Sequence, residues 1–143
     1  MIDEKLRQYL AEHSGGSLGD VGHRALVDKA GQRLKELGAI GVIDVFKGVI
    51  IEGDGYQGET DLVAITEEEL FVIEAKLMRG DGIRAWRNTR SQINRQLKRD
   101  YDFFRQHSGV AARMIGILKY AGTSKIEHYE LPRPIGHLLG GLR

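Results

Sequence analysis

Two carboxylates and a lysine in this chain are spaced so that they could hold a divalent cation together. Asp61 precedes one short apolar run, and the triplet Glu74-Ala75-Lys76 follows the next. If the two runs form a hairpin in which paired residue numbers sum to 135, Asp61 faces Glu74, with Cβ atoms about 5 Å apart. Side chains alternate along a strand, so Glu74 and Lys76 project from one face. Carboxylates in this arrangement suit a hard cation, and the lysine adds a movable positive charge.

Glu59 lies two residues before Asp61 and therefore points the same way along the predicted strand. It could supply a further metal ligand. The alternative is an ordinary solvated glutamate at the start of a strand, and the sequence leaves both interpretations open.

The composition fits one soluble domain. The chain has 143 residues, enough for a single core, and no apolar run approaches the roughly 20 residues that a membrane span needs. It contains no cysteine, which excludes disulfides and cysteine-ligated metal sites. The polar N-terminus predicts no signal peptide, so we expect a cytoplasmic protein without membrane association. We predict a single domain over 1–143, with its core at about 20–121, an N-terminal helix within 1–16 and a tail over 122–143.

Charge is unevenly distributed along the chain. The net charge is +1, but residues 1–75 carry 7 basic and 15 acidic side chains (net −8), whereas residues 76–143 carry 14 basic and 5 acidic ones (net +9). The sign changes at Lys76, beside the candidate site. A modest total charge can therefore conceal a basic surface suited to phosphates.

The apolar pattern predicts the element order αβββαβ after a weak first helix over 2–13. A stronger helix covers 21–37, with Asp20 capping its start and Gly38 its end. Strands follow at 42–51, 58–66 and 69–77, with a turn at 53–55. The hairpin strands are apolar on both faces, so we expect helices on both sides of the sheet. After a loop at 79–82 come a helix over 88–106 and a buried strand over 113–121.

The predicted helix over 88–106 combines a buried stripe with a basic surface. Ile93, Leu97, Tyr101 and Phe104 recur at spacings of four, four and three and form the stripe. The basic side chains in and just before this helix could be a solvated surface. Their position beside the candidate metal site favours contact with phosphates. They are Arg84, Arg87, Arg90, Arg95, Lys98 and Arg99.

This element order, with Asp61 and Glu74-Ala75-Lys76 on neighbouring strands, resembles the PD-(D/E)XK nuclease superfamily, which has the restriction-endonuclease-like α/β fold: a central mixed sheet flanked by helices. The resemblance covers about residues 20–121. It implies that Asp61, Glu74 and the Ala75 carbonyl hold magnesium or manganese and that Lys76 is the catalytic lysine. Thr60 replaces the proline of the family's name, and Asp28 is a poor match to an acidic residue found on the first helix of some members.

The resemblance also implies a glutamine on the helix after the triplet strand. Gln92 and Gln96 both match and share a helix face, and either could act in the site. The segment around them looks most like the nuclease-related domains. The implied activity is hydrolysis of phosphodiester bonds, in DNA rather than RNA, with low sequence specificity. The chain also resembles bacterial toxin domains of similar size. This resemblance implies delivery into a target-cell cytoplasm and an immunity protein as a partner. Alternatives are a structure-specific nuclease or junction resolvase, or an inactive nucleic-acid-binding module, and either a monomer or a homodimer.

Overall fold

The computed structural model describes residues 3–53, 56–107, 111–120 and 122–132. The N-terminal half supplies two helices and three strands: α1 Glu4–His13, α2 Val21–Gln32, β1 Asp44–Gly53, β2 Tyr56–Ile65 and β3 Glu69–Leu77. They are followed by α3 Gly82–His107, β4 Ala111–Lys119 and β5 Ile126–Leu131. The predicted turn at 53–55 lies partly outside the described residues, as does the end of the predicted tail.

The five strands form one mixed sheet in the order β1-β2-β3-β4-β5. β1, β2 and β3 are antiparallel neighbours, β3 and β4 are parallel, and β5 returns antiparallel to β4. A parallel pair needs a crossover connection, and α3 provides it. The predicted α/β fold, a mixed sheet flanked by helices as in restriction endonucleases, is confirmed.

Helices cover both faces of the sheet, as the two-sided apolar strands predict. On one face, Val63, Ile65 and Val72 pack with buried residues of α1 and α3. On the other, Phe71 and Ile73 pack with buried residues of α2 and the segment after it. Within the paired part of the hairpin, odd residues of β2 and even residues of β3 therefore face α3.

Several predicted boundaries differ from the structure. α2 ends at Gln32 rather than Leu37, because the chain continues in looser turns up to Gly38, whose φ is +96°. Leu34 and Leu37 are nevertheless buried, so the helical apolar spacing persists beyond the helical hydrogen bonds. α3 begins at Gly82, six residues before the predicted start at 88 and within the predicted loop, because Ala85 and Trp86 pack against the core and extend the helix toward its N-terminus.

β5 corrects the predicted order αβββαβ, which ended at β4. Its residues Ile126–Leu131 lie within the predicted tail over 122–143. Each side chain in this edge strand is exposed or only partly buried, so its sequence lacks the apolar run that marked β4.

No helix among the described residues is long and apolar enough to cross a membrane.

Candidate functional site: a cavity where two strands part

Asp61 lies where β2 and β3 stop pairing. The ladder pairs Ile65 with Leu70 and continues to Leu62 with Ile73, so paired numbers sum to 135 as predicted. Beyond this pair, the Asp61 side chain serves as the hydrogen-bond acceptor in place of a backbone carbonyl. Its Oδ2 accepts from the Ala75 N–H at 2.7 Å. The carboxylate is 5% exposed and is held between the two strands. The hairpin register thus fixes Asp61 against the Glu74-Ala75-Lys76 triplet.

His23, in the first turn of α2, reaches the same point from across the sheet. Its Nε2 lies 3.1 Å from Asp61 Oδ2 and 3.0 Å from the Ala75 carbonyl oxygen. Its Nδ1 faces the Leu18 carbonyl oxygen. Carbonyl and carboxylate oxygens only accept, so both ring nitrogens carry protons. The hydrogen bond to Asp61 is the largest cause that raises the pKa of His23, to about 9, against the opposing effect of burial.

A loop between α1 and α2 orients His23. Leu18 has φ +58°, a left-handed conformation that is unusual for a leucine. Glu59 holds it there, since Glu59 Oε1 accepts the Leu18 N–H at 2.8 Å while the Leu18 carbonyl accepts from His23. Glu59 therefore reaches the site through the loop, and the structure places its carboxylate against the Leu18 backbone. Its predicted role as a further metal ligand stays a prediction.

The site opens into a cavity of about 210 Å³. Four residues of the predicted site line it: Asp61, Ala75, Lys76 and Gln96. His23 and Asp20 line it from the start of α2, and Gly19, Leu77 and Arg79 complete it. A lysine, a carboxylate and a glutamine amide thus surround one space large enough for several water molecules or a phosphate group.

Glu74 lies beneath this cavity rather than in its wall. Its side chain is 1% exposed and its Oε2 accepts from Arg99 Nη2 at 3.2 Å. Burial, followed by the neighbouring Asp100 carboxylate, raises the pKa of Glu74 well above its ordinary value. Its predicted role as a metal ligand stays a prediction, and that role would require Glu74 to share its carboxylate with Arg99.

Asp100 and Arg99 form the buried support of Glu74. Asp100 is fully buried and its Oδ1 accepts from Arg99 Nη2 at 2.9 Å and from Thr60 Oγ1 at 3.0 Å. Among the described residues Asp100 Oδ2 has no donor when both carboxyls are ionised. The interaction with Asp100 is, after burial, a cause of the raised pKa of Glu74. Burial also raises the pKa of Asp100, the other member of this carboxyl pair.

The structure separates the two predicted glutamines. Gln96 lines the main cavity, whereas Gln92 lines a neighbouring depression that it shares with Arg95, Gln96 and Arg99. The geometry therefore favours Gln96 as the glutamine that can act on groups in the cavity, while Gln92 borders the approach to it.

The predicted basic surface divides into exposed and occupied residues. Arg84, Arg87, Arg95 and Lys98 are exposed. Arg90 stacks between Trp86 and Tyr129, with its guanidinium carbon 4.8 Å and 3.9 Å from the two ring centres. Arg99 is directed inward to Glu74, Asp100 and the Glu59 carbonyl. Arg99 therefore binds the buried carboxylates and does not belong to the set of exposed cations.

Three depressions follow one another along α3. The cavity and the Gln92 depression share Gln96, and that depression shares Arg95 with a groove of about 450 Å³. The groove is lined by Trp86, Arg87, Arg90, Ser91, Asn94, Arg95 and Lys98. A continuous surface therefore runs from the buried acidic residue Asp61 to exposed cations on α3.

The cavity residues fit a hard divalent cation. Asp61 and the Ala75 carbonyl offer oxygen ligands, the kind that Mg²⁺ and Mn²⁺ prefer. Nε2 of His23 already places a positive N–H group within 3.1 Å of both oxygens, so this point of the molecule stabilises positive charge. No three His, Cys, Asp or Glu side chains converge as at a metal cluster anywhere in the described ranges, so the protein ligands here are few.

Two residues of the site escaped the sequence analysis. His23 was not among the predicted site residues, and Asp28 was the nearest acidic candidate on the first helix. The structure reverses this, because Asp28 pairs with Lys47 Nζ at 2.8 Å while His23 contacts Asp61. A signal for His23 exists in hindsight: it lies three residues after the helix-capping Asp20, which fixes the start of α2 beside the strands. Asp100 follows Leu97 of the buried stripe by three residues. This spacing places both on one helix face and so indicates that Asp100 is buried.

A mixed sheet with helices on both faces, an aspartate where β2 and β3 part and a Glu-x-Lys triplet on β3 define a protein of the PD-(D/E)XK, restriction-endonuclease-like class. The family model of the nuclease-related domain matches residues 22–131. The chain belongs to the nuclease-related domain family, and the match includes β5.

Other comparisons add little. No curated protein matches significantly. The chain is similar to a crystal structure of a protein of unknown function, AF1548, at 18% identity and a TM-score of 0.39, over 71% of this chain and 50% of that one. The chain thus spans half the length of that protein.

Proposed function

We propose that this chain is a metal-dependent nuclease that hydrolyses phosphodiester bonds, in DNA rather than RNA and with low sequence specificity. The observation that carries the proposal is the cavity that combines Asp61, the Ala75 carbonyl, Lys76 and Gln96 and continues into the basic groove. Hydrolysis of a phosphodiester needs neutralisation of the phosphate charge, an oriented water molecule and binding of the adjacent phosphates, and these residues can supply all three.

Asp61 and the Ala75 carbonyl would hold magnesium or manganese. When bound, such an ion lowers the pKa of water and polarises the phosphate. Lys76 would orient the attacking water or the scissile phosphate oxygen by direct hydrogen bonding from its ammonium group. Gln96 would align the same water through its amide, and the buried Glu74, propped by Arg99 and Asp100, would complete or support the ligand set.

The exposed cations would grip the nucleic acid backbone. Arg87, Arg95 and Lys98 lie along one groove that leads to the cavity, which suits successive phosphates of one strand. Phosphate contacts carry no sequence information, so binding through this groove alone predicts low specificity.

A second candidate is a nucleic-acid-binding module without catalytic activity. The observation that favours it is the burial of Glu74, whose side chain is 1% exposed. Its carboxylate accepts a hydrogen bond from Arg99 and does not line the cavity where a metal ion would bind. This candidate predicts nucleic acid binding that neither needs a metal nor ends in cleavage.

A gel assay decides between the two. The purified chain is incubated with plasmid, linear duplex, a four-way junction, single-stranded DNA and RNA, in Mg²⁺, Mn²⁺ or EDTA. We expect metal-dependent cleavage of DNA and its loss in Asp61→Asn, with Asp28→Asn as the matched control because Asp28 lies in an exposed ion pair. Binding without cleavage of any substrate in either metal would support the inactive module, and preferential cleavage of the junction or of RNA would correct the substrate class.

A further inference from the structure

The position of the His23 imidazole is not explained by the proposed mechanism. Its Nε2 lies 3.1 Å from Asp61 Oδ2 and 3.0 Å from the Ala75 carbonyl oxygen, the two groups expected to hold the ion. Adjacent ligands of an octahedral ion with bonds of about 2.1 Å are about 3 Å apart. The distances from Nε2 to the two oxygens therefore match those between neighbouring ligands of one ion.

The other ring nitrogen is fixed as it is in histidines that bind metals. Nδ1 donates to the Leu18 carbonyl oxygen, which leaves Nε2 as the ring atom directed at the cavity. Metal-binding histidines almost always donate the second ring N–H to a carbonyl or carboxylate, which sets the ring orientation. Leu18 is itself held in its left-handed conformation by Glu59, so the orientation is supported by β2 and does not depend on the loop alone.

We propose that His23 is a third protein ligand of the metal site, binding the ion through Nε2 beside Asp61 and the Ala75 carbonyl. The inference rests on the proposed metal-dependent function and names the ligand set of the same site. Binding through Nε2 would require this nitrogen to give up its proton, which would be released to solvent. The site then draws on three elements, with α2 supplying the imidazole and β2 and β3 supplying oxygen ligands.

An imidazole ligand changes which ions the site prefers. Nitrogen ligands favour transition metals, and affinity for a given N/O site rises from Mn²⁺ to Co²⁺, whereas Mg²⁺ and Ca²⁺ prefer oxygen alone. We therefore expect Co²⁺ and Mn²⁺ to bind more tightly than Mg²⁺. The margin should shrink when the imidazole is removed.

Pulsed electron paramagnetic resonance of Mn²⁺ bound to the EDTA-stripped wild-type chain tests the ligand directly. A coordinated imidazole gives a ¹⁴N coupling that oxygen ligands do not. We expect that coupling in wild type, its loss in His23→Gln and its retention in His128→Gln, since His128 is exposed on β5 and lines a different cavity. Calorimetric titration should show that the affinity for Co²⁺ falls at least about 10-fold in His23→Gln. Loss of a group that only orients a metal ligand already costs that much, and loss of the ligand itself should cost no less.

Each outcome bears on one of the two proposals. If Mn²⁺ binds wild type, fails to bind Asp61→Asn and shows no nitrogen coupling, the metal function stands and the role of His23 is overturned. A coupling that persists in His23→Gln overturns it as well. If no divalent ion binds wild type at millimolar concentration, both the metal-dependent function and this inference fail.

Discussion

Lys76 is the cavity residue whose contribution to chemistry and to binding can be separated. It lies beside Ala75 on β3 and lines the cavity, whereas the exposed cations of α3 line the adjoining groove. We predict that Lys76→Ala slows turnover by about 10²–10³, the usual cost of one oriented electrostatic contact, and leaves affinity for nucleic acid nearly unchanged.

Single-turnover cleavage and equilibrium binding in EDTA measure the two effects separately. Lys29→Ala is the matched control, because Lys29 lies on α2 and lines a different cavity. A variant that binds much more weakly but cleaves bound substrate at the wild-type rate would show that Lys76 only clamps phosphate.

His23 makes the stability of the metal-free protein depend on pH. Its pKa is raised from 6.5 in the unfolded chain to about 9 by the hydrogen bond to Asp61, so the folded state binds the proton more tightly. The stabilisation is complete below pH 6.5 and is lost as pH rises through 9. Asp61 on β2 and Asp20 at the start of α2 are the described carboxylates that interact with the ring, and Lys76 and Arg79 line the same cavity.

Chemical denaturation in EDTA at pH 6, 7.5 and 9.5 measures this effect. We predict that wild type loses more stability than His23→Gln between pH 6.5 and 9.5. Since Gln does not titrate, subtracting its curve removes the other ionisable groups. Parallel curves for the two proteins would mean that the His23–Asp61 contact contributes nothing to folding.

At the scale of elements, the loop before α2 can approach the sheet only because β1 carries a glycine at position 48. Gly48 has φ +62°, its carbonyl accepts from Gly16 N–H at 2.9 Å, and a Cβ there would lie 2.7 Å from the Gly16 nitrogen. This contact seats the segment that ends in Leu18. The geometry of β1 therefore supports the orientation of His23 across the sheet.

Alanine substitution separates backbone strain from the close approach. We predict that Gly41→Ala, at φ +74° with open space around it, costs about 1–2 kcal/mol of unfolding free energy from strain alone. Gly48→Ala should cost that amount and about 1–3 kcal/mol more, because the backbone of Gly16 must move. Urea denaturation of both variants checks this, and equal losses would show that the loop adapts without cost.

The sequence predicted the elements that the local pattern controls. The register between Leu62–Ile65 and its partner strand follows from two apolar runs and a short turn, so the position of Asp61 was predictable. The two apolar faces correctly indicated two layers of helices. β5 was missed because a half-exposed edge strand has no strong apolar pattern.

Contacts between distant elements could not be predicted in the same way. His23 and Asp61 are 38 residues apart, and their contact depends on how α2 crosses the sheet, which local periodicity does not determine. The inward turn of Arg99 depends likewise on the burial of Glu74 and Asp100 beneath α3. A count of basic residues could not distinguish Arg99 from exposed neighbours such as Arg95.

For the whole molecule, the net charge of +9 over residues 76–143 is concentrated in part on the exposed surface of α3. We predict that replacing Arg87, Arg95 and Lys98 by alanine weakens nucleic acid binding and flattens its salt dependence. The log–log slope on duplex DNA should change by about 0.9 for each phosphate that the variant no longer neutralises.

Binding measured in EDTA at several salt concentrations gives these slopes without cleavage. A triple alanine variant of Lys29, Arg33 and Lys35 removes the same charge from the other side of the sheet and should keep the wild-type slope. Coincident slopes for the α3 variant and wild type would remove this groove from the binding surface.

The hydrogen bond from Ala75 N–H to Asp61 makes a single backbone amide a natural reporter of the site. Most strand amides donate to a backbone carbonyl, whose charge does not change with pH. This amide donates to a carboxylate at 2.7 Å, whose charge does change. Its proton resonance should lie far downfield and should move whenever Asp61 gains a cation or a proton. One cross-peak in a ¹⁵N-edited spectrum of the uniformly labelled protein would thus follow occupancy of the site in solution, with no substrate or substitution required.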